Sequence, residues 1–194
     1  MENLSVKKVI IAKQEKETEN YRQFIKIAKQ RKIEIITIQK GNEINIDKEL
    51  KLKILWPQSQ QIQENILNNN SIVAKLCYRN FSILFTGDIE EKAEKQMLSE
   101  YKEKDILNST VLKVAHHGSK TSSTTGFLEK VRAKIAFIGV GKKNLFNHPN
   151  EEVIERLKKC RIKIYRTDKN GEIFLKINKD GKIKTSTQIL ETNV

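Results

Sequence analysis

Short apolar runs, each closed by a polar or glycine-bearing turn, recur along the chain: Val9–Ala12, Ile33–Ile38, Phe81–Thr86, Val111–Ala115, Ile135–Val140 and Ile162–Arg166. Runs of this length read as strands with at least one buried face. Between them lie stretches whose apolar residues fall at helical spacing, such as Tyr21, Phe24, Ile25, Ile27 and Ala28, or Ala93, Met97, Leu98 and Tyr101. A chain that alternates in this way is confined to layers of sheet and helix. Hairpin signals also occur. Leu50, Leu52, Ile54 and Trp56 alternate with polar residues until Pro57 stops the run, and Arg79-Asn80 joins Ser71–Tyr78 to Phe81–Thr86. The sheet is therefore mixed and not purely parallel.

Thr18 caps a helix that runs to about Arg31, and further helices span Ile89–Lys102, Thr125–Val131 and Glu151–Lys159, the last with Pro149 and Asn150 near its start. Gln58–Asn70 reads as a polar loop, Gly141–Pro149 as a second loop and Asp168–Gly171 as a turn. No internal repeat and no second domain are visible, so 1–194 reads as one domain.

Thirty-seven Lys+Arg face 24 Asp+Glu, a net charge of +13. Such a surface suits anionic partners, DNA among them, and scattered lysines equally serve solubility. No apolar stretch approaches the roughly 20 residues that span a bilayer. The first residues lack a signal-peptide pattern, and Cys77 and Cys160 stand alone, as in a reducing compartment. A cytoplasmic location is expected.

Polar residues gather just after apolar strands. Asp88 follows Phe81–Thr86, His116 and His117 follow Val111–Ala115, and His148 lies in the loop after Ile135–Val140. These are the three histidines of the chain. Strand ends in α/β folds open onto binding edges, and imidazole with carboxylate suits a transition metal. Each residue singly also reads as a turn, a cap or a loop histidine. Gly118-Ser119 and Ser122-Ser123-Thr124 offer hydroxyls and amides to a phosphate, or form a polar loop with a helix cap.

Taken in order, Asn68-Asn69-Asn70-Ser71-Ile72-Val73, Phe85-Thr86-Gly87-Asp88, Leu112-Lys113-Val114-Ala115-His116-His117-Gly118-Ser119, Val140-Gly141-Lys142, His148-Pro149 and Tyr165–Gly171 resemble the metallo-β-lactamase-like domain of ComEC-type competence proteins. The resemblance runs from about Val6 to Ile177 and is most specific through His117-Gly118-Ser119. It implies a partial αββα sandwich of mixed sheets flanked by helices, and a metal-dependent hydrolase acting on the phosphodiesters of DNA. By the same resemblance Asp88 and His117 are the catalytic candidates, and Asp88, His116, His117 and His148 are the candidate ligands of zinc or manganese, with His117 preferred over His116. Ser119, Ser122, Ser123 and Lys142 are the candidate phosphate contacts.

Two departures qualify this. The family carries an earlier H-x-H-x-D-H or H-x-D-x-D-H block, whereas every histidine here lies after Gly87. The family's Gly-His-Pro-His is here Asn147-His148-Pro149-Asn150. The expectation is a domain truncated at its N-terminal side relative to the family, holding metal incompletely, weak or inactive alone, and completed by self-association or a partner chain. The alternative is a non-catalytic remnant that binds DNA or a partner. Membrane-linked members of the family place this domain outside the cytoplasm, but no membrane span is legible here.

Overall fold

The computed structural model describes residues 4–13 and 15–189. Chain order is β1 (Lys8–Ala12), α1 (Glu19–Gln30), β2 (Glu34–Ile38), β3 (Glu43–Asp47), β4 (Leu50–Trp56), α2 (Ile66–Asn69), β5 (Val73–Tyr78) and β6 (Phe81–Phe85). It continues with α3 (Glu91–Glu100), β7 (Val111–Lys113), α4 (Thr125–Val131), β8 (Ile135–Ile138), α5 (Glu151–Lys159), β9 (Lys163–Arg166), α6 (Thr167–Asn170), β10 (Ile173–Ile177) and β11 (Ile183–Thr187).

Strands β3 to β9 form a seven-stranded sheet in sequence order. Its first half is antiparallel, built from hairpins, and β6 to β9 are parallel, joined through α3, α4 and α5. Arg79, at φ 51°, turns the β5–β6 hairpin. Two small sheets stand apart, parallel β1–β2 and antiparallel β10–β11.

The alternation of side chains along the strands decides the layers. On one face of the large sheet Trp56, Val73, Leu84, Leu112 and Ala136 pack against Met97, Phe127, Leu128 and Leu157 of the helices. On the other face Ile54 and Ala74 meet Ile36 and Ile38 of β2, and Phe81, Ile83 and Val111 meet Leu175, Ile177 and Ile183 of β10–β11. Helix α1 covers β2 from outside through the fully buried Ala28. Helices, large sheet, small sheets and helix give the layered, mixed α/β sandwich that the resemblance implies.

Local signals hold at the helix ends. The Thr18 hydroxyl accepts from Tyr21 N at 3.2 Å, and the Asn150 side chain accepts from Glu152 N at 3.0 Å. The supposed loop Gln58–Asn70 differs: it contains α2 and is tied to the core through the buried Ile62, Asn69 and Asn70. Asn70 bonds the Ile62 amide and the Ile62 and Ile66 carbonyls, while the Asn69 carbonyl accepts from buried Trp56 Nε1 at 2.6 Å. Its asparagines supply the polar partners that a buried irregular backbone requires. Asp168 likewise lies in a helical turn, α6, and not in a simple turn. Among the described residues, no helix is long and apolar enough to cross a membrane.

Candidate functional site

Strands β6, β7 and β8 run parallel and end on one edge of the sheet, where their following loops meet. The strands are shorter than their apolar runs suggest, because β6 stops at Phe85 and β7 at Lys113. Close backbone approaches take over from there.

Gly87 sits at φ 53°, and a Cβ on it would lie 2.7 Å from Ser71 Cβ. The Asp88 turn is thereby pressed against the Ser71-Ile72 segment. The Gly87 carbonyl accepts from His116 N at 3.0 Å, tying this turn to the histidine loop. In that loop His116, His117 and Gly118 all adopt positive φ, at 48°, 54° and 84°. Left-handed backbone costs about 1–2 kcal/mol per non-glycine residue and is held only where the surroundings over-determine it. Gly118 supplies that constraint: a Cβ there would be 2.5 Å from Pro149 Cβ, and its carbonyl accepts from Asn150 N at 2.9 Å. The His148-Pro149 segment is thus docked on the histidine loop.

The turn sends the two adjacent histidines to different surroundings. His117 Nδ1 lies 2.7 Å from the Gly139 carbonyl oxygen and donates to it. That fixes the tautomer and leaves Nε2 as the bare nitrogen. Nε2 faces Asp88 Oδ1 at 3.8 Å, a gap that no hydrogen bond spans. Lys113, at the end of β7, donates to the Val114 carbonyl at 3.2 Å. Burial pushes its ammonium pKa down, opposed by the nearby Asp88 charge.

His116 is turned inward. Its Nδ1 is shielded from solvent and lacks a hydrogen-bond partner, with Glu90 Oε1 3.5 Å away. Its ring meets the His148 ring edge-on at 5.7 Å. Burial, followed by the neighbouring His116 and His117, holds His148 below the usual imidazole pKa. The Phe146 ring then stacks on His148 at 5.8 Å and 20°. A cleft of about 340 Å³ opens between His117, Gly139, Asn144, Phe146 and His148.

Glu90 was not singled out by any pattern in the sequence. It accepts from Asn65 Nδ2 at 2.7 Å, Asn68 Nδ2 at 3.2 Å and Thr121 Oγ1 at 3.4 Å, and it separates His116 from a second cleft of about 380 Å³ lined by Glu64, Lys92 and Lys95. The asparagine run before β5 was its one trace in the sequence.

The serines of the next loop face inward. Ser119 Oγ pairs with Thr121 Oγ1 at 3.0 Å, and buried Ser122 donates to the Ile89 carbonyl at 2.8 Å. Ser123 N and Thr124 N and Oγ1 all go to the Glu94 carboxylate, at 2.5, 2.8 and 2.7 Å. Ser122 and Ser123 offer no group to solvent, and Lys142 is exposed on the other loop.

The site therefore holds two pairs, Asp88 with His117 and His116 with His148. Among the described residues, no group of three or more His, Cys, Asp or Glu side chains is gathered to hold a metal ion. A bare His117 Nε2 facing a carboxylate is donor chemistry that suits a cation, but two ligands fall short of the three or four that zinc takes. The described residues by themselves do not fit a resident divalent metal.

No protein-family model matches the chain. It is 30% identical over 168 residues to ComE operon protein 3 of Bacillus subtilis, an alignment covering 87% of this chain and 21% of that protein. It is 34% identical over 114 residues to Competence protein ComA of Neisseria gonorrhoeae, covering 59% of this chain and 16% of that one. The chain spans only 21% and 16% of the length of these two curated relatives. A solved Parabacteroides distasonis structure, provisionally named a metal-dependent hydrolase, superposes with a TM-score of 0.48 and 12% identity over 83% of this chain and 64% of that one. An alignment covering 87% of this chain takes in everything from Gly87 to Pro149, the whole candidate site. The chain is a homologue of one segment of the ComEC-type competence proteins.

Proposed function

We propose that the chain carries part of a metal-dependent hydrolytic site for phosphodiesters, with DNA as the substrate of the completed site. One observation supports this reading above the others. The Gly139 carbonyl fixes His117 so that its bare Nε2 faces Asp88 Oδ1 at 3.8 Å, at the edge where three parallel strands end. In this reading Asp88 and His117 are the catalytic pair, and His116 and His148 stand behind them. Zinc or manganese is retained only when further ligands join, from another segment or a partner chain. The described residues alone give weak turnover or none.

The test is metal content, together with cleavage of a DNA oligonucleotide by the purified chain in manganese or zinc. Less than one tightly held ion per chain and negligible cleavage are expected. Robust turnover abolished by Asp88→Ala would overturn the incomplete-site reading and establish a self-sufficient enzyme.

A second reading has its own support in the net charge of +13 and the absence of a three-ligand group among the described residues. There the chain binds DNA or a partner without chemistry. DNA binding would fall steeply with salt and be indifferent to a chelator and to His117→Ala. Absence of binding at moderate salt removes this reading.

A further inference from the structure

We propose that Phe146 is a stacking platform for a base of single-stranded nucleic acid, with Leu145 beside it and Lys142 and Lys143 supplying charge for the backbone. This rests on the reading of the site as one for phosphodiesters and specifies which form of the polymer it takes.

The loop that carries Phe146 is braced at both ends. At its root Thr167 Oγ1 accepts from Val140 N and donates to the Val140 carbonyl, both at 2.7 Å. Across its neck Asn144 donates to the Gly141 and His148 carbonyls at 3.1 and 2.8 Å, and its Oδ1 accepts from His148 N at 2.8 Å. Beyond His148, Pro149 is seated on Gly118. Between these braces Leu145 is 96% exposed and Phe146 77% exposed. Large apolar side chains held out in water by a tied loop are set for a partner.

The orientation of the ring identifies the partner. One face of Phe146 lies on His148, nearly parallel at 20°, and His148 meets His116 edge-on. The other face continues this column outward and is open. A base laid on it is the next tier, and the same Phe146 lines a cleft of about 340 Å³ whose lining also includes His148 and, from the catalytic pair, His117. Aromatic faces capture bases without regard to sequence, provided the bases are unstacked from a duplex. The exposed Lys142 and Lys143 precede the aromatic tip and match the phosphates of such a strand. An apolar tip with lysines would also suit an anionic membrane, but a wedge of that kind does not need its ring stacked on a site histidine.

Binding is measured by fluorescence anisotropy with a labelled single-stranded oligothymidylate, its RNA counterpart and a duplex of equal length, in chelator and low salt. Chelator removes turnover, so this result is independent of the hydrolysis assay: failure of cleavage leaves the platform standing, and failure of binding leaves cleavage to its own test. Phe146→Ala is expected to weaken single-strand binding about tenfold and duplex binding less than about twofold. Phe146→Trp keeps the affinity, and its emission is quenched by the single strand, whereas Trp56 is fully buried and unresponsive. Equal affinities of wild type and Phe146→Ala for the single strand, or equal losses for both polymers, overturn the proposal. Phe146-dependent flotation with phosphatidylglycerol vesicles, without an effect on oligonucleotide binding, also overturns it and assigns the tip to lipid.

Discussion

Two loops flank the candidate histidines and spend their polar groups in opposite ways. The Ser119–Thr124 loop is folded inward: Ser122 is bound by the Ile89 carbonyl, Ser123 and Thr124 by the Glu94 carboxylate, and Ser119 and Thr121 bond each other, with Thr121 also on Glu90. The Asn144–Asn147 tip is tied at its neck and turned outward, with its largest apolar side chains in water. In the sequence both are short segments, bearing hydroxyls or amides, next to a histidine. The difference is where the anchoring acceptor lies. Glu94 reaches the first loop from the buried face of α3, while Asn144 anchors the second loop from within the loop itself. A loop bonded to the core becomes scaffold, and a loop bonded to itself is free to present side chains.

The strongest way to break this comparison is to remove Glu94. Glu94→Ala strips three donors of their acceptor in a site without solvent and leaves a cavity, an expected loss of about 3–5 kcal/mol in urea unfolding. A loss under about 1 kcal/mol would mean that the inner loop is not anchored there. The same residue gives a pH signature. Burial raises the Glu94 pKa above its usual value against the pull of Thr124 and Ser123. A raised folded-state pKa means stability that is fully present below about pH 4.5 and is lost as pH climbs through the folded value. Wild type should therefore lose stability relative to Glu94→Gln as pH rises from about 4. An offset between the two melting curves that does not change with pH would remove this contribution.

Gly118 is the hinge between the two loops, and its substitution should be next in size. At φ 84°, with a Cβ landing 2.5 Å from the Pro149 ring, Gly118→Ala must displace Pro149. We expect about 2–3 kcal/mol of destabilisation. The His148 ring resonances should shift, because Pro149 is its neighbour. The Ser122 and Ser123 amides should keep their slow hydrogen exchange, since nothing in their bonding passes through Gly118.

Much of this was legible in the sequence, for reasons that show where legibility ends. Helix α1 announces itself through Thr18 and the Tyr21–Ala28 spacing, α5 through Asn150, and the β5–β6 hairpin through Arg79-Asn80, because each signal is local. Asp88, His117 and His148 come to one edge because they follow apolar strands that pair in parallel. The place of Glu90 was not legible, since it depends on Asn65, Asn68 and Thr121 arriving from distant segments. The opposite aims of His116 and His117 follow from positive φ at two adjacent non-glycine residues, which no residue preference foretells. The tied Gln58–Asn70 segment was hidden in the same way: polarity is visible in a sequence, and the acceptor that consumes it is not.

The smallest expected effect falls on the self-bonded loop. Asn144→Ala removes the bonds to the Gly141 and His148 carbonyls and the acceptor of His148 N, all at a half-buried neck where water can take over. Replacement by water keeps the global cost at about 1 kcal/mol or below. The local consequence should be larger than that figure suggests. With the neck open, the Phe146 ring is no longer held parallel to His148, while Pro149 remains seated on Gly118. Amide exchange should therefore quicken from Asn144 to His148 and stay slow from Ser119 to Thr124, and nuclear Overhauser contacts between the Phe146 and His148 rings should weaken. If exchange quickened in both loops together, they would be one cooperative unit, and the distinction between core-bonded and self-bonded loops would not hold.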